Sequence, residues 1–191
     1  GDWSSDVCSS DLNPRTKNRH LPAGQIQVSG AWWVVSLAAA GLVVTTWFIN
    51  PVCFYLSPVA LVVVGFYSLT KRFTNWTHLF LGIALGLAPV GAWLAVTGKF
   101  AWPPVVLAAA VVVWLVGFDI IYATQDVEFD RQVGLRSLPA KLGIPAALRV
   151  AQLAHALMAV GLGGFGLVSG MRWPYYLGLT VIFVCLVWQH L

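Results

Sequence analysis

PPVVLAAAVVVWLVGFDIIYATQDVEFDRQ, residues 103–132, decides how the rest of this chain is read. From Pro103 to Thr124 only Asp119 interrupts an apolar run; Asp126, Glu128, Asp130 and Arg131 then follow in close order. A helix rising about 1.5 Å per residue needs about 20 apolar residues to cross ~30 Å of hydrocarbon. The run is long enough, and its acidic end marks where it leaves the membrane core. Five more stretches of similar character lie at residues 28–49, 52–69, 79–96, 145–169 and 174–189. Composition agrees: 59% of residues are hydrophobic and 9% charged, where a soluble domain carries about 25% charged residues. Mean hydropathy is +0.79. The expected fold is all-α, a polytopic transmembrane helical bundle with six spans.

Orientation follows from the basic residues, because lysine and arginine flanking a span are retained on the cytoplasmic side. Arg15, Lys17, Arg19, Lys71, Arg72, Arg131, Arg136, Lys141 and Arg149 fall on one predicted face, and only Lys99 and Arg172 on the other. Both ends of the six-span unit are therefore expected in the cytoplasm, as in an integral protein of a bacterial inner membrane. Trp32, Trp33, Trp47, Trp76, Trp102, Trp173 and Trp188 sit near span ends, where the amphipathic ring favours the headgroup region. Gly82, Gly86 and Gly91 would allow close helix approach. His155, in mid-span, is read as hydrogen-bonded packing. Cys53 and Cys185 are read as apolar packing residues, with no disulfide framework or thiolate metal site.

The first twelve residues, GDWSSDVCSSDL, break the pattern: they are polar and serine-rich and carry no lysine or arginine. They resemble a reading-frame translation of a sequencing adapter, so they are set aside, and the native domain is expected to run from residue 13 to 191.

Outside that segment the chain has four acidic residues, Asp119, Asp126, Glu128 and Asp130. On a continuous helix, at about 100° per residue, Asp126 and Asp130 lie within roughly 20° of Asp119, while Glu128 points the opposite way. The expected aspartate ladder is about 16 Å long, with Tyr122 about 60° round the helix. A single aspartate there would be read as the partner of a nearby cation such as Arg131. Three in register would repel one another unless a cation or bound protons intervened, and intramembrane carboxylates are costly without a cavity and partners. Hard oxygen donors suit Mg²⁺, which takes one or two carboxylates plus substrate phosphates. A proton-coupled transporter could place carboxylates in the same way, although no internal repeat with broken helices is evident. A purely structural subunit would not gather every native acid at one helix end.

Residues 119–143, DIIYATQDVEFDRQVGLRSLPAKLG, resemble the second aspartate-rich motif of the UbiA superfamily of intramembrane prenyltransferases. Residues 67–93, YSLTKRFTNWTHLFLGIALGLAPVGAW, are similar to the family segment after its fourth helix, and NPRTKNRHLPAG, residues 13–24, to the tail of its first motif region. The wording is most similar to the 4-hydroxybenzoate polyprenyltransferase branch of ubiquinone or menaquinone biosynthesis. The resemblance implies a nine-helix fold around a cavity. On that basis the first two helices, the ninth and the first aspartate motif are expected to lie outside this sequence. It further implies Mg²⁺-dependent transfer of a polyprenyl group from a polyprenyl diphosphate to an aromatic acceptor such as 4-hydroxybenzoate, or to another aromatic or quinone-precursor ring. Asp126 and Asp130 are the expected metal ligands. Asp119 is expected to orient the acceptor or take the ring proton, and Tyr122 to stabilise positive charge. Lys71, Arg72, Arg15 and Arg19 are the diphosphate candidates, though positive-inside topology alone would also place them there. The expected partners are these substrates and the lipid bilayer, with no nucleic acid among them.

Overall fold

In hydrocarbon a backbone N–H or C=O finds no water, so an apolar stretch satisfies its polar groups internally as a helix. The computed structural model describes residues 13–190, apart from the side chain of Lys71, and the adapter-like segment at residues 1–12 lies outside the described residues. The helices are α1 (Val28–Ile49), α2 (Pro51–Tyr67), α3 (Thr77–Thr97), α4 (Trp102–Ala123), α5 (Val127–Gln132), α6 (Leu138–Leu142), α7 (Ile144–Val168) and α8 (Trp173–His190). Short 3-10 turns occupy Thr70–Arg72 and Thr124–Asp126, and no strand occurs among the described residues. Each of the six predicted spans is a helix. Four are long and apolar enough to cross a membrane: α1, α3, α7, and α4 with its continuation to Gln132. The other two, α2 and α8, have 17 and 18 residues.

Local chemistry sets the breaks between them. Asn50 caps α2 by accepting from the Cys53 N–H at 2.9 Å and donates to the Leu94 carbonyl at 2.8 Å, which ties the α1–α2 turn to the far end of α3. Gly98, at φ +64°, closes α3 in the left-handed conformation that glycine adopts without a Cβ penalty. A proline in the first turn starts α2, α4, α6 and α7, where its missing N–H costs nothing.

α4 is the central element, packed mainly against α3 and α7, while α1, α2 and α8 are added outside them. Two glycines permit the α3–α4 contact. A Cβ on Gly82 would lie 2.7 Å from the Val112 carbonyl oxygen, and one on Gly86 would lie 2.6 Å from Val112 Cγ2. Gly91 has nothing within 4 Å, so it takes no part in the approach expected of all three. On the other side of α4, a Cβ on Gly117 would collide with the His155 ring at 2.6 Å. His155 is buried there, with Nδ1 2.8 Å from His190 Nε2, a packing contact between α7 and α8.

The core is small: Ile120, Leu138, Ala147 and Ala151 form one cluster and Ala110, Met158 and Leu186 another. Most large apolar side chains face outward, and α1 buries none of its residues. That inversion suits a bundle whose solvent is lipid. Cys53 is buried, whereas Cys185 is on the exposed surface and does not pack as expected.

Candidate active site at the charged end of the bundle

The regular helix of α4 stops at Ala123, and the chain passes through the 3-10 turn before α5 begins. A 3-10 residue advances about 120° instead of about 100°, so three of them rotate everything downstream by about 60°. Asp126 and Asp130 therefore move from within about 20° of Asp119 to about 40° and 80° round from it, while Asp119 and Asp126 keep different partners. Asp119 turns to α3, where its Oδ2 lies 2.7 Å from His78 Nδ1. Asp126 and Asp130, four residues apart, are both buried, at 7% and 1% exposure. Glu128 is exposed, as its opposite helical position requires. Among the described residues, no three His, Cys, Asp or Glu side chains converge as a ready-made metal cage.

Residues 13–26 fold in turns over this end of the bundle. Asn13 is buried and donates through Nδ2 to Asp126 Oδ1 at 2.9 Å, while its own Oδ1 accepts from the Arg15 backbone N–H at 2.9 Å. The Arg15 guanidinium grips the same carboxylate at both oxygens, Nε to Oδ1 at 3.0 Å and Nη2 to Oδ2 at 2.5 Å. Its Nη1 donates to the Tyr122 hydroxyl at 2.5 Å, and its central carbon stands 4.7 Å from the Tyr122 ring centroid. The Asp126 carboxylate, and after it the Tyr122 hydroxyl, hold the Arg15 pKa above the ordinary arginine value. Arg19 reaches toward the same hydroxyl.

Arg72 lies exposed on the turn Thr70–Arg72. Lys71 occupies the same turn, with its side chain outside the described residues. Arg131 does not serve as the carboxylate partner that charge alone suggests in this contact: its Nε donates to the Ala140 carbonyl at 3.0 Å. Arg136 donates to the Phe73 carbonyl at 2.6 Å, which brings the loop before α6 against the loop before α3.

The profile of the UbiA prenyltransferase family matches residues 8–191. This chain belongs to that family. Among its relatives, the 4-hydroxybenzoate octaprenyltransferase of Alcanivorax borkumensis is 35% identical over 182 residues, which cover 92% of this chain and 60% of that protein. The 4-hydroxybenzoate solanesyltransferase of Synechocystis is 33% identical over 193 residues, 98% of this chain and 65% of the relative. The mitochondrial 4-hydroxybenzoate polyprenyltransferase of Aedes aegypti is 31% identical over 181 residues, 94% and 40% respectively. The chain thus spans between 40% and 65% of the length of these three relatives. The apo structure of a UbiA homolog from Aeropyrum pernix K1 matches with a TM-score of 0.91 at 29% identity, covering 98% of this chain and 71% of that one. The helical UbiA fold implied by the sequence resemblance is therefore the observed one.

Two residues of this candidate site escaped the sequence reading. Asn13 stood beside the basic residues without a charge to attract notice. His78 could have been found from topology: α3 and α4 form an antiparallel pair folded at residues 98–101, which sets the start of α3 beside the end of α4.

Proposed function

We propose that the complete protein transfers a polyprenyl group from polyprenyl diphosphate to an aromatic acceptor such as 4-hydroxybenzoate, at the membrane face that carries Asp119, Asp126 and Asp130. The observation that carries this reading is the pair of buried carboxylates, Asp126 and Asp130, at the charged end of the bundle, the first of them gripped by Arg15. The names of the relatives point to the same chemistry. Buried acids are costly unless paired or ligating, and Asp126 meets that condition through Arg15 and Asn13.

The donor set fits Mg²⁺. Two oxygen ligands one helical turn apart leave positions for water and diphosphate, the usual pattern for this ion. Bound there, the cation would neutralise the departing diphosphate oxygens. The protein's own groups supply the rest. Arg15 holds Asp126 in a bidentate grip, and a diphosphate offers the same fork an equivalent pair of oxygens. Exchange of Arg15 from carboxylate to diphosphate would bind the leaving group and open Asp126 to ligation in one movement. Lys71, Arg72 and Arg19 add positive charge on the same side. Departure of the diphosphate leaves an allylic cation, which the π face of Tyr122 can stabilise. The ring carbon of the acceptor then attacks that cation, and Asp119 would orient the acceptor hydroxyl and take the proton that the ring loses.

The test is polyprenyl transfer to 4-hydroxybenzoate in membranes containing the complete protein. Asp126→Asn and Asp130→Asn should lower the rate by about 10²–10³-fold at equal folded level, and Glu128→Gln should leave it within about twofold. Full activity in both asparagine variants, with unchanged magnesium dependence, would overturn the assignment.

A further inference from the structure

His78 lies in the first turn of α3 and is 1% exposed, and each of its ring nitrogens has a defined partner. On one side Nδ1 is 2.7 Å from Asp119 Oδ2. On the other, Nε2 accepts from the Leu138 backbone N–H at 3.3 Å. That N–H belongs to the first residue of α6 and has no partner within its own helix. A nitrogen facing an N–H must present its lone pair, so the ring proton sits on Nδ1 and points at the Asp119 carboxylate. The ring is thereby fixed in one neutral tautomer. With both nitrogens engaged, His78 is not placed to act as a base.

The contacts around the ring join it to the loop before α6. Arg136 donates to the Phe73 carbonyl at 2.6 Å, and the fully buried Ser137 caps α6 by accepting from the Ala140 N–H at 3.3 Å. Asp119 keeps 20% of its side-chain surface exposed, so a ligand can still reach the carboxylate that His78 holds.

We propose that His78 is a positioning residue, which fixes one oxygen of Asp119 so that the carboxylate presents a single orientation to the hydroxyl of the aromatic acceptor, and which locks the Ser137–Leu138 segment to the same unit. This rests on the reading of Asp119 as the acceptor-facing carboxylate. It explains why a buried imidazole joins α3, α4 and α6 at this point, and it separates Asp119 in function from Asp126 and Asp130.

Two variants dissect the ring. His78→Asn keeps a donor at the position of Nδ1 and loses the acceptor for Leu138, whereas His78→Leu loses both. In membranes with the complete protein, His78→Leu should raise KM for 4-hydroxybenzoate about tenfold while KM for the polyprenyl diphosphate stays within about twofold. His78→Asn should restore most of the loss. A parallel rise in both KM values, or no rescue by asparagine, would overturn the proposal. A second measurement needs no turnover: thermal unfolding of purified His78→Leu, Asp119→Asn and the double variant. The two Tm losses should be clearly non-additive. Additive losses would overturn the positioning role whatever the activity. Non-additive losses in a protein that prenylates no aromatic acceptor would support the His78–Asp119 coupling and overturn the proposed reaction instead.

Discussion

Arg15 and Asp126 meet at 3.0 and 2.5 Å through two parallel hydrogen bonds, a geometry that a lysine cannot reproduce. The carboxylate side chain is 9% exposed and the guanidinium 30%, so solvent screens one partner only in part. Removing the guanidinium takes a bidentate cation from a nearly buried carboxylate that Asn13 still contacts. Arg15→Ala should therefore cost about 1–3 kcal/mol in magnesium-free buffer, and Arg15→Lys about half of that. Added Mg²⁺ with inorganic diphosphate should raise the stability of Arg15→Ala less than that of the parent, since a ligand stabilises by mass action in proportion to its affinity and the variant lacks the guanidinium that would hold the diphosphate. Thermal unfolding in detergent, with and without the two ions, checks both statements. Equal ion-induced shifts in variant and parent would separate Arg15 from the ligand site. Because the folded-state pKa of Arg15 is raised, its share of the stabilisation is complete below the ordinary arginine value and is lost only as pH rises beyond it. The guanidinium half of this clasp therefore contributes no pH dependence near neutrality.

At the scale of elements, α3 and α4 approach through Gly82 and Gly86, and the cost of filling each notch depends on what a Cβ would meet. At Gly82 the obstacle is a backbone carbonyl oxygen at 2.7 Å, which cannot rotate away. Gly82→Ala should destabilise by about 1–3 kcal/mol. Gly91→Ala meets nothing within 4 Å and should stay within about 1 kcal/mol of the parent, on the stabilising side, because alanine costs a helix less than glycine does. Unfolding temperatures of the two variants check the sign. All six spans were legible in the sequence, since hydrocarbon thickness fixes the length of an apolar helix. The spacing of the small residues likewise pointed to close packing, but only contact with a neighbour shows that Gly82 is pressed against Val112 and Gly91 against nothing. The 3-10 turn Thr124–Asp126 was not legible, because it contains no glycine or proline to announce it. Its Asp126 is held by Asn13 and Arg15, more than a hundred residues earlier in the chain. Continuing a regular helix through that turn kept Glu128 outward and put Asp126 and Asp130 closer in register with Asp119 than a 3-10 advance of about 60° allows.

For the whole molecule, the charged groups just described gather at one end, and the opposite end carries little beyond Lys99 and Arg172. The folded chain makes that grouping physical: Arg15 reaches Asp126, Arg136 reaches Phe73, and Leu138 reaches His78, so four separate segments share one face. Lysine and arginine near short loops resist translocation, and nine of the eleven lie on this side. We therefore expect the acidic end to face the cytoplasm, where a soluble diphosphate product can leave without crossing the bilayer. Single cysteines, in a background lacking Cys8, Cys53 and Cys185, check it. The probe positions must be exposed, as Gln132 is at one end and Thr97 at the other. In intact cells a membrane-impermeant maleimide should label Thr97→Cys, while Gln132→Cys should react only after the membrane is opened. The two positions are separated by the full length of α4, 22 residues or about 33 Å, so they cannot report the same side if that helix spans. Labelling of Gln132→Cys from outside would place the carboxylates on the opposite face and overturn the orientation. Labelling of both positions from outside would deny that α4 crosses the membrane, and the lipid-facing reading of its apolar surface would fall with it.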